Sequence, residues 1–221
     1  MNGFAIAIDG PAGAGKSSVA RAVARTLNAT YLDTGAMYRA VGLYMMKSGV
    51  PLDMPALIAA HADDAHVDVR YENGVQHIDL NGEDVSDAIR ENAVSAAASA
   101  VSAVPRVREL MVARQREIAA KTDVVMDGRD IGTRVLPDAD YKFFLTASDK
   151  VRAQRRYDEL KAKGESVTLQ EVLEDVRRRD EQDTTRAESP LTIADDATEV
   201  ETDDLGIDEV VTVLMALMGR F

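Results

Sequence analysis

Gly10, Pro11, Ala12, Gly13, Ala14, Gly15, Lys16 and Ser17 form an unbroken string with the spacing G-x-x-x-x-G-K-[ST]. A short apolar run, residues 4–9 (FAIAID), precedes it, and in residues 17–27 Val19, Val23 and Leu27 recur every four positions. An apolar run ending at glycine suits a buried parallel strand that turns sharply, and a four-residue recurrence suits a helix with one core-facing stripe. Strand, glycine loop and helix in that order are the context in which this motif holds phosphate. Main-chain N–H groups curl around the oxygens, and the helix start adds its positive dipole end. Lys16 then reaches the terminal phosphates of a nucleoside triphosphate. The Ser17 hydroxyl is a candidate ligand for Mg²⁺, a hard cation that takes oxygen donors. Residues 10–17 and the adjoining Ser18 are the candidate nucleoside-triphosphate contacts. A glycine turn that merely reversed the chain would need neither Lys16 nor Ser17.

Further buried-strand candidates are residues 123–127 (DVVMD) and 141–146 (YKFFLT), with weaker ones at 30–33 and 197–202. Strands alternating with helical stretches predict a parallel sheet covered on both faces. Glu199 and Glu201 make the last strand more polar than a buried strand should be. Residues 66–71 and 75–80 alternate about Asn73-Gly74, and a second Asn-Gly follows at Asn81-Gly82, so a small antiparallel insert interrupts the parallel pattern. Residues 93–104, nearly all Ala, Ser and Val, predict a closely packed helix ending before Pro105. Residues 149–163 read as a highly charged helix with little apolar face, stopped by Gly164. An acidic stretch, 195–209, leads into a last helix with Val210, Val211, Leu214, Leu217 and Met218.

The 221 residues carry 26 Lys and Arg against 38 Asp and Glu, a net charge of −12, which argues against a general nucleic-acid binder. There is no cysteine, so disulfides, zinc-thiolate sites and thiol nucleophiles are excluded. No apolar run is long enough to cross a bilayer and the first residues do not resemble a signal peptide, so a cytoplasmic protein, mature from its first residue, is expected. His61, His66 and His77 lie outside the motifs and are read as surface residues without a chemical role.

Asp127 ends an apolar strand, where a carboxylate could hold Mg²⁺ directly or through water; a turn residue at a strand end is the other reading. Three function classes share a phosphate loop. A guanine-specific switch would carry Asn-Lys-x-Asp, and no Asn here precedes Lys. A motor or transporter subunit would carry a partner-facing surface that this compact acidic chain does not reveal. A small-molecule kinase is the class that remains in front.

Three more strings sharpen this reading: residues 32–39 (LDTGAMYR), 127–133 (DGRDIGT) and 179–186 (RDEQDTTR). With the phosphate loop, and in this order and spacing over nearly the whole chain, they resemble bacterial-type cytidylate kinase, a phosphate-loop nucleoside monophosphate kinase family. The resemblance implies a P-loop NTPase fold of the α/β class: a central parallel five-stranded sheet flanked by helices, a small antiparallel insert for the monophosphate, and a helical lid. It implies one kinase domain with core residues 1–36, 97–148 and 167–221, a monophosphate-binding insert at 37–96 and a lid at 149–166. The activity implied is transfer of the γ-phosphate of ATP to CMP or dCMP with Mg²⁺, by a monomer that engages neither nucleic acid nor membrane.

By the same resemblance Arg39, Arg129 and Arg186 hold the CMP phosphate, with Thr34 near the acceptor, Arg179 near the transferred group and Asp183 in the CMP site. Lys16, Arg129, Arg179 and Arg186 are thereby the candidate catalytic residues. Arginine suits this task because its planar fork binds phosphate oxygens in pairs and stays charged. Asp130 and Ser99 would accept from the cytosine N4 amino group, and Arg108 would donate to N3 and O2. Uracil would set a carbonyl against Asp130, so CMP is expected to be preferred over UMP. Arg152, Arg155 and Arg156 share one face of the charged helix, and the resemblance makes them lid residues that close over ATP. The alternatives are a related kinase acting on UMP, AMP or a metabolite hydroxyl, with Asp33 or Asp130 as base, and a non-enzymatic nucleotide-binding module.

Overall fold

The computed structural model describes residues 3–220. Its chain contacts divide it into two compact units, one built from residues 30–123 with Gly3 and the other from 4–29 and 124–220.

The second unit carries the phosphate loop. Strand β1 (Ala5–Asp9) lies between β6 (Val124–Asp127) and β7 (Tyr141–Thr146), parallel to both, with Ile8 opposite Asp127 on one side and Phe143 on the other. The parallel sheet has five strands, four of which, in the order β6-β1-β7 and then β8 (Thr198–Glu201), lie in this unit. Ile6, Ile8, Val124, Val125 and Leu145 are fully buried. Each such side chain contributes about 1.5–3 kcal/mol of transfer free energy, which is why the runs read as continuously apolar. Helix α1 (Lys16–Leu27) buries Val19 and Val23 as the four-residue stripe required, and Leu214 of α8 (Ile207–Leu217) is fully buried as well.

Strand β8 (Thr198–Glu201) explains its own polarity. It pairs only with β7, Leu145 opposite Val200, so it is an edge strand in which Val200 alone is buried. Glu199 and Glu201 face outward and discourage pairing with another chain.

The charged segment forms α6 (Asp149–Ala162), capped by Ser148, but the expectation of little apolar face is corrected. Ala153, Tyr157 and Leu160 make a narrow stripe that packs on Val172, Leu173 and Val176 of α7 (Leu169–Thr185). Three small contacts suffice because the partner helix supplies the rest of the cluster. A capping box between Thr168 and Glu171 starts α7.

In the first unit, β2 (Thr30–Asp33) leads into α2 (Thr34–Lys47) and α3 (Pro55–His61). Strands β3 (Val67–Glu72), β4 (Val75–Leu80) and β5 (Glu83–Asp84) form the expected antiparallel sheet. Asn73 and Gly74 both have positive φ, 51° and 76°, the conformation that lets a two-residue turn match strand twist. The Ala-rich segment is α4 (Asn92–Ser102), and Pro105 opens α5 (Pro105–Ala119). Close packing of α4 on α2 is visible at Gly42, where a Cβ would come within 2.9 Å of the Ala98 backbone. No described helix is long and apolar enough to cross a membrane.

Candidate active site

The phosphate loop is shaped by what surrounds it. At Gly10, φ is 143° and a Cβ would sit 2.0 Å from the Leu145 carbonyl, so only glycine lets β1 turn there. Three side chains, one from the loop itself and two from distant segments, hold the loop's own carbonyls. Lys16 Nζ donates to Pro11 O at 2.7 Å, Arg152 to Ala12 O at 3.1 Å, and Thr202 Oγ1 to Ala14 O at 3.3 Å. With those carbonyls turned away, the loop's N–H groups are left to face an anion.

Lys16 is buried, and that burial, together with the nearby Arg129 charge, lowers its pKa to about 7; Asp127, Asp9 and Asp183 partly oppose the shift. A bound phosphate would reverse it, since negative charge beside the ammonium favours the protonated form. Ser17 Oγ donates to Asp127 Oδ2 at 2.7 Å. This pair of oxygen donors, one on a helix start and one on a strand end, fits the ligand preference of Mg²⁺.

Arg129 is near enough to Lys16 to act on its charge, and Arg179 and Arg186 cluster with Arg129. Arg129 Nε donates to Asp183 Oδ2 at 2.8 Å, and burial would lower its pKa, but Asp183, Asp127 and Asp9 raise it overall. Arg186 places one nitrogen 3.9 Å from Asp183 and another 3.9 Å from Asp130. The Arg179 pKa is lowered by burial, and Arg156, Arg178 and Arg129 push in the same direction against Asp175. That mutual repulsion is the signature of an electropositive site built to receive several negative charges.

The lid arginines divide. Arg152 is not on an exposed face: it is buried and doubly bonded to Asp180 at 2.8 and 2.5 Å. Arg155 donates to Thr202 O at 2.5 Å, and Arg156 pairs with Glu159 at 2.8 Å. Helical spacing alone placed the three together; long-range partners hold Arg152 and Arg155, while Arg156 keeps a local one.

The first unit organises its own polar set. Asp33 caps α2 by accepting from Ala36 N at 2.9 Å and binds Arg39 at 2.9 Å with its other oxygen. Thr34 is buried beside it in the sequence. The Arg108 guanidinium lies 5.6 Å from the centre of the Tyr38 ring and donates to Ser102 O at 3.2 Å. Ser102 in turn donates to the carbonyl of Ser99. Arg39 and Arg108 are thus oriented in advance, though by different partners.

A family model described as cytidylate kinase matches residues 6–220. A cytidylate kinase of Caldanaerobacter subterraneus subsp. tengcongensis is 51% identical over 206 residues, which cover 93% of this chain and 90% of that one. The chain belongs to the cytidylate kinase family. The cytidylate kinase of Rhodococcus opacus is likewise 51% identical, over 97% of this chain and 94% of its own. Among solved structures, a shikimate kinase from Bacteroides thetaiotaomicron superposes with a TM-score of 0.50 at 16% identity, covering 98% of both chains. A gluconokinase from Sinorhizobium meliloti gives 0.51 at 15%, covering 99% of this chain and 93% of that one. At such identities the likeness speaks for the fold alone.

For a member of the cytidylate kinase family, three residues of this site carry no sequence-based expectation: Asp9, Asp180 and Thr202. Asp9 reads as the polar end of a strand, yet it is buried and accepts from Ile131 N at 2.8 Å and Gly132 N at 2.7 Å. Its pKa is raised to about 6 by burial, against the two amide donors. Asp180 sits inside the string 179–186, and Thr202 follows β8. Neither could be paired without the fold.

Proposed function

We propose that this chain transfers the γ-phosphoryl group of ATP to CMP or dCMP, giving ADP and CDP or dCDP. The reading is carried by full-length similarity to cytidylate kinases together with a phosphate loop whose Lys16 feels the Arg129 charge, with Arg179 and Arg186 in the same arginine–carboxylate cluster as Arg129. The attacking oxygen already belongs to an ionised phosphate monoester, so no general base is needed. Positioning and charge stabilisation carry the rate. The loop amides and Lys16 hold the β- and γ-phosphates, and Arg129 and Arg186, with Arg39 and Thr34, hold the acceptor phosphate. Arg179 faces the charge that spreads over the transferring group, while Asp183 keeps Arg129 in place. Ser17 and Asp127 would hold Mg²⁺, which supplies charge neutralisation across the phosphates when bound.

The base is read by Asp130, with Ser99, as acceptor and by Arg108 as donor. Residues 37–96 form the monophosphate-binding insert and 149–166 the lid that excludes water on closing. All these groups lie on one chain, so a monomer suffices, and the cytoplasm supplies the donor nucleotide. A hydroxyl acceptor is disfavoured because Asp33, one candidate base, is engaged by Arg39 and by its capping bond.

A coupled assay across CMP, dCMP, UMP, AMP and shikimate tests the reading. CMP and dCMP should exceed UMP by about ten- to a hundredfold in kcat/KM, the worth of one good base contact. Asp130→Ala should lose CMP turnover selectively. Equal use of UMP and CMP by the unaltered protein would overturn the base assignment, and no turnover of any monophosphate would overturn the kinase reading.

A further inference from the structure

Residues 131–135 form one widened turn, in which Val135 N bonds back to Asp130 O at 3.1 Å across five residues. Such single π-turns are uncommon, and they leave their leading amides without partners in the turn itself. Here the first two, Ile131 N and Gly132 N, are taken by the two separate oxygens of Asp9, from the end of β1. Asp130 is the residue that caps this turn, with φ −146° and ψ 29°, and its carboxylate is buried near Arg186.

We propose that Asp9 is the positioning residue for pyrimidine selection: its two-point grip on the amides of Ile131 and Gly132 sets the direction in which Asp130 presents its carboxylate. The inference rests on the reading that Asp130 faces the cytosine amino group. A single hydrogen bond would leave the turn free to pivot. Two bonds from one rigid carboxylate fix its rotation as well as its distance. The carboxylate is suited to this because both of its oxygens accept, whereas an amide of the same shape offers one acceptor and turns an N–H₂ toward the second donor. The strand that bears Asp9 runs directly into the phosphate loop at Gly10, so the same residue ties the pyrimidine-reading turn to the donor loop.

The test compares the unaltered enzyme, Asp9→Asn, Gly132→Ala and Asp130→Ala with CMP, UMP and ATP. Losing one charged hydrogen bond and opposing two donors should raise KM for CMP by about tenfold or more and shrink the CMP-to-UMP ratio of kcat/KM comparably; the ratio is the deciding readout, because it cancels any effect of the lost Asp9 charge on Lys16 and ATP. Gly132→Ala reaches the same bond from the other side, because its methyl would press within 3.4 Å of Asp9 Oδ2 and 3.2 Å of the Lys142 side chain. It should move the ratio the same way by a smaller factor, and it decides the matter if Asp9→Asn does not fold. An unchanged ratio in these variants, with Asp130→Ala still altering it, overturns the positioning role alone. An unchanged ratio in Asp130→Ala overturns the base reading and this inference with it.

Discussion

Two arginine–carboxylate networks in this chain have the same chemistry and different surroundings. Around the phosphate loop, Arg152 with Asp180 and Arg186 with Asp130 have at least one side chain almost out of water. On the β3-β4-β5 sheet, Arg70 pairs with Asp79 at 2.9 Å and also with Glu72 and Asp84, and the last two remain well exposed. Removing charges from water costs several kcal/mol per ion, so a buried network persists only where geometry repays that cost or where function requires it. An exposed network costs little and gives little. The difference also reverses the response to pH. Hydrogen bonds from Arg177 to Asp149 and from Ser86 to Asp84 lower those exposed carboxyls, whereas burial raises Asp9.

The contrast can be broken first at Lys16. Lys16→Met removes the cation nearest the transferring phosphates and should lower kcat by about a hundred- to a thousandfold, read in a coupled assay at saturating ATP. A loss confined to KM for ATP would instead make Lys16 a residue of ground-state binding. Next in size is Arg152→Ala, which strands Asp180 and leaves the Ala12 and Ala147 carbonyls without their donor. It should cost about 3 kcal/mol of stability in urea unfolding. A variant of unchanged stability with weakened ATP binding would return Arg152 to the lid.

A third measurement uses pH. The ordinary carboxyl value is 3.8 and that of folded Asp9 about 6, so the folded chain binds this proton more tightly. Its stabilising contribution is complete below about 3.8 and is lost as pH rises through about 6. Asp149 has a lowered value, so its contribution is present at neutral pH and lost in acid. From pH 8 to pH 5 the melting temperature of the unaltered protein should therefore gain on that of Asp9→Asn, whereas its margin over Asp149→Asn should hold across that range and shrink only below about 3.8. Parallel curves for the unaltered protein and Asp9→Asn would mean that burial does not raise the Asp9 carboxyl.

What could be read from the sequence was what lies close together along it. The phosphate loop, the Asn73-Gly74 hairpin and strand 141–146 each carry their cause in consecutive residues, and each is found where expected. Helix α7 announces itself only by the Thr168–Glu171 capping box, and the start of α2 is hidden inside the string 32–39. The site was legible as residue types and not as partners. Asp9 meets Ile131 and Gly132 across more than a hundred residues, and Arg152 meets Asp180 across 28. Helical spacing put Arg152 beside Arg155 and Arg156, because periodicity gives the face of a helix and says nothing about which side chain a distant carboxylate will capture.

The smallest effect belongs to the exposed network, and it is the most informative about the contrast. Arg70→Ala removes a guanidinium that touches three carboxylates at once, whereas Arg152 pairs with the one carboxylate of Asp180. If the number of ion pairs set stability, this substitution would be the costlier of the two. Water already solvates both sides of these pairs, and removing Arg70 leaves Glu72 and Asp84 hydrated rather than stranded. Arg70→Ala should therefore shift the melting temperature by no more than about 1–2 °C. That shift should vanish near 1 M salt, where the screening length falls to about 3 Å. The loss from Arg152→Ala should survive the same salt, because the Arg152 side chain is almost out of water and its ion pair is little screened. Equal salt sensitivity in the two variants would show that both networks are solvated, and burial would cease to be the variable that distinguishes them.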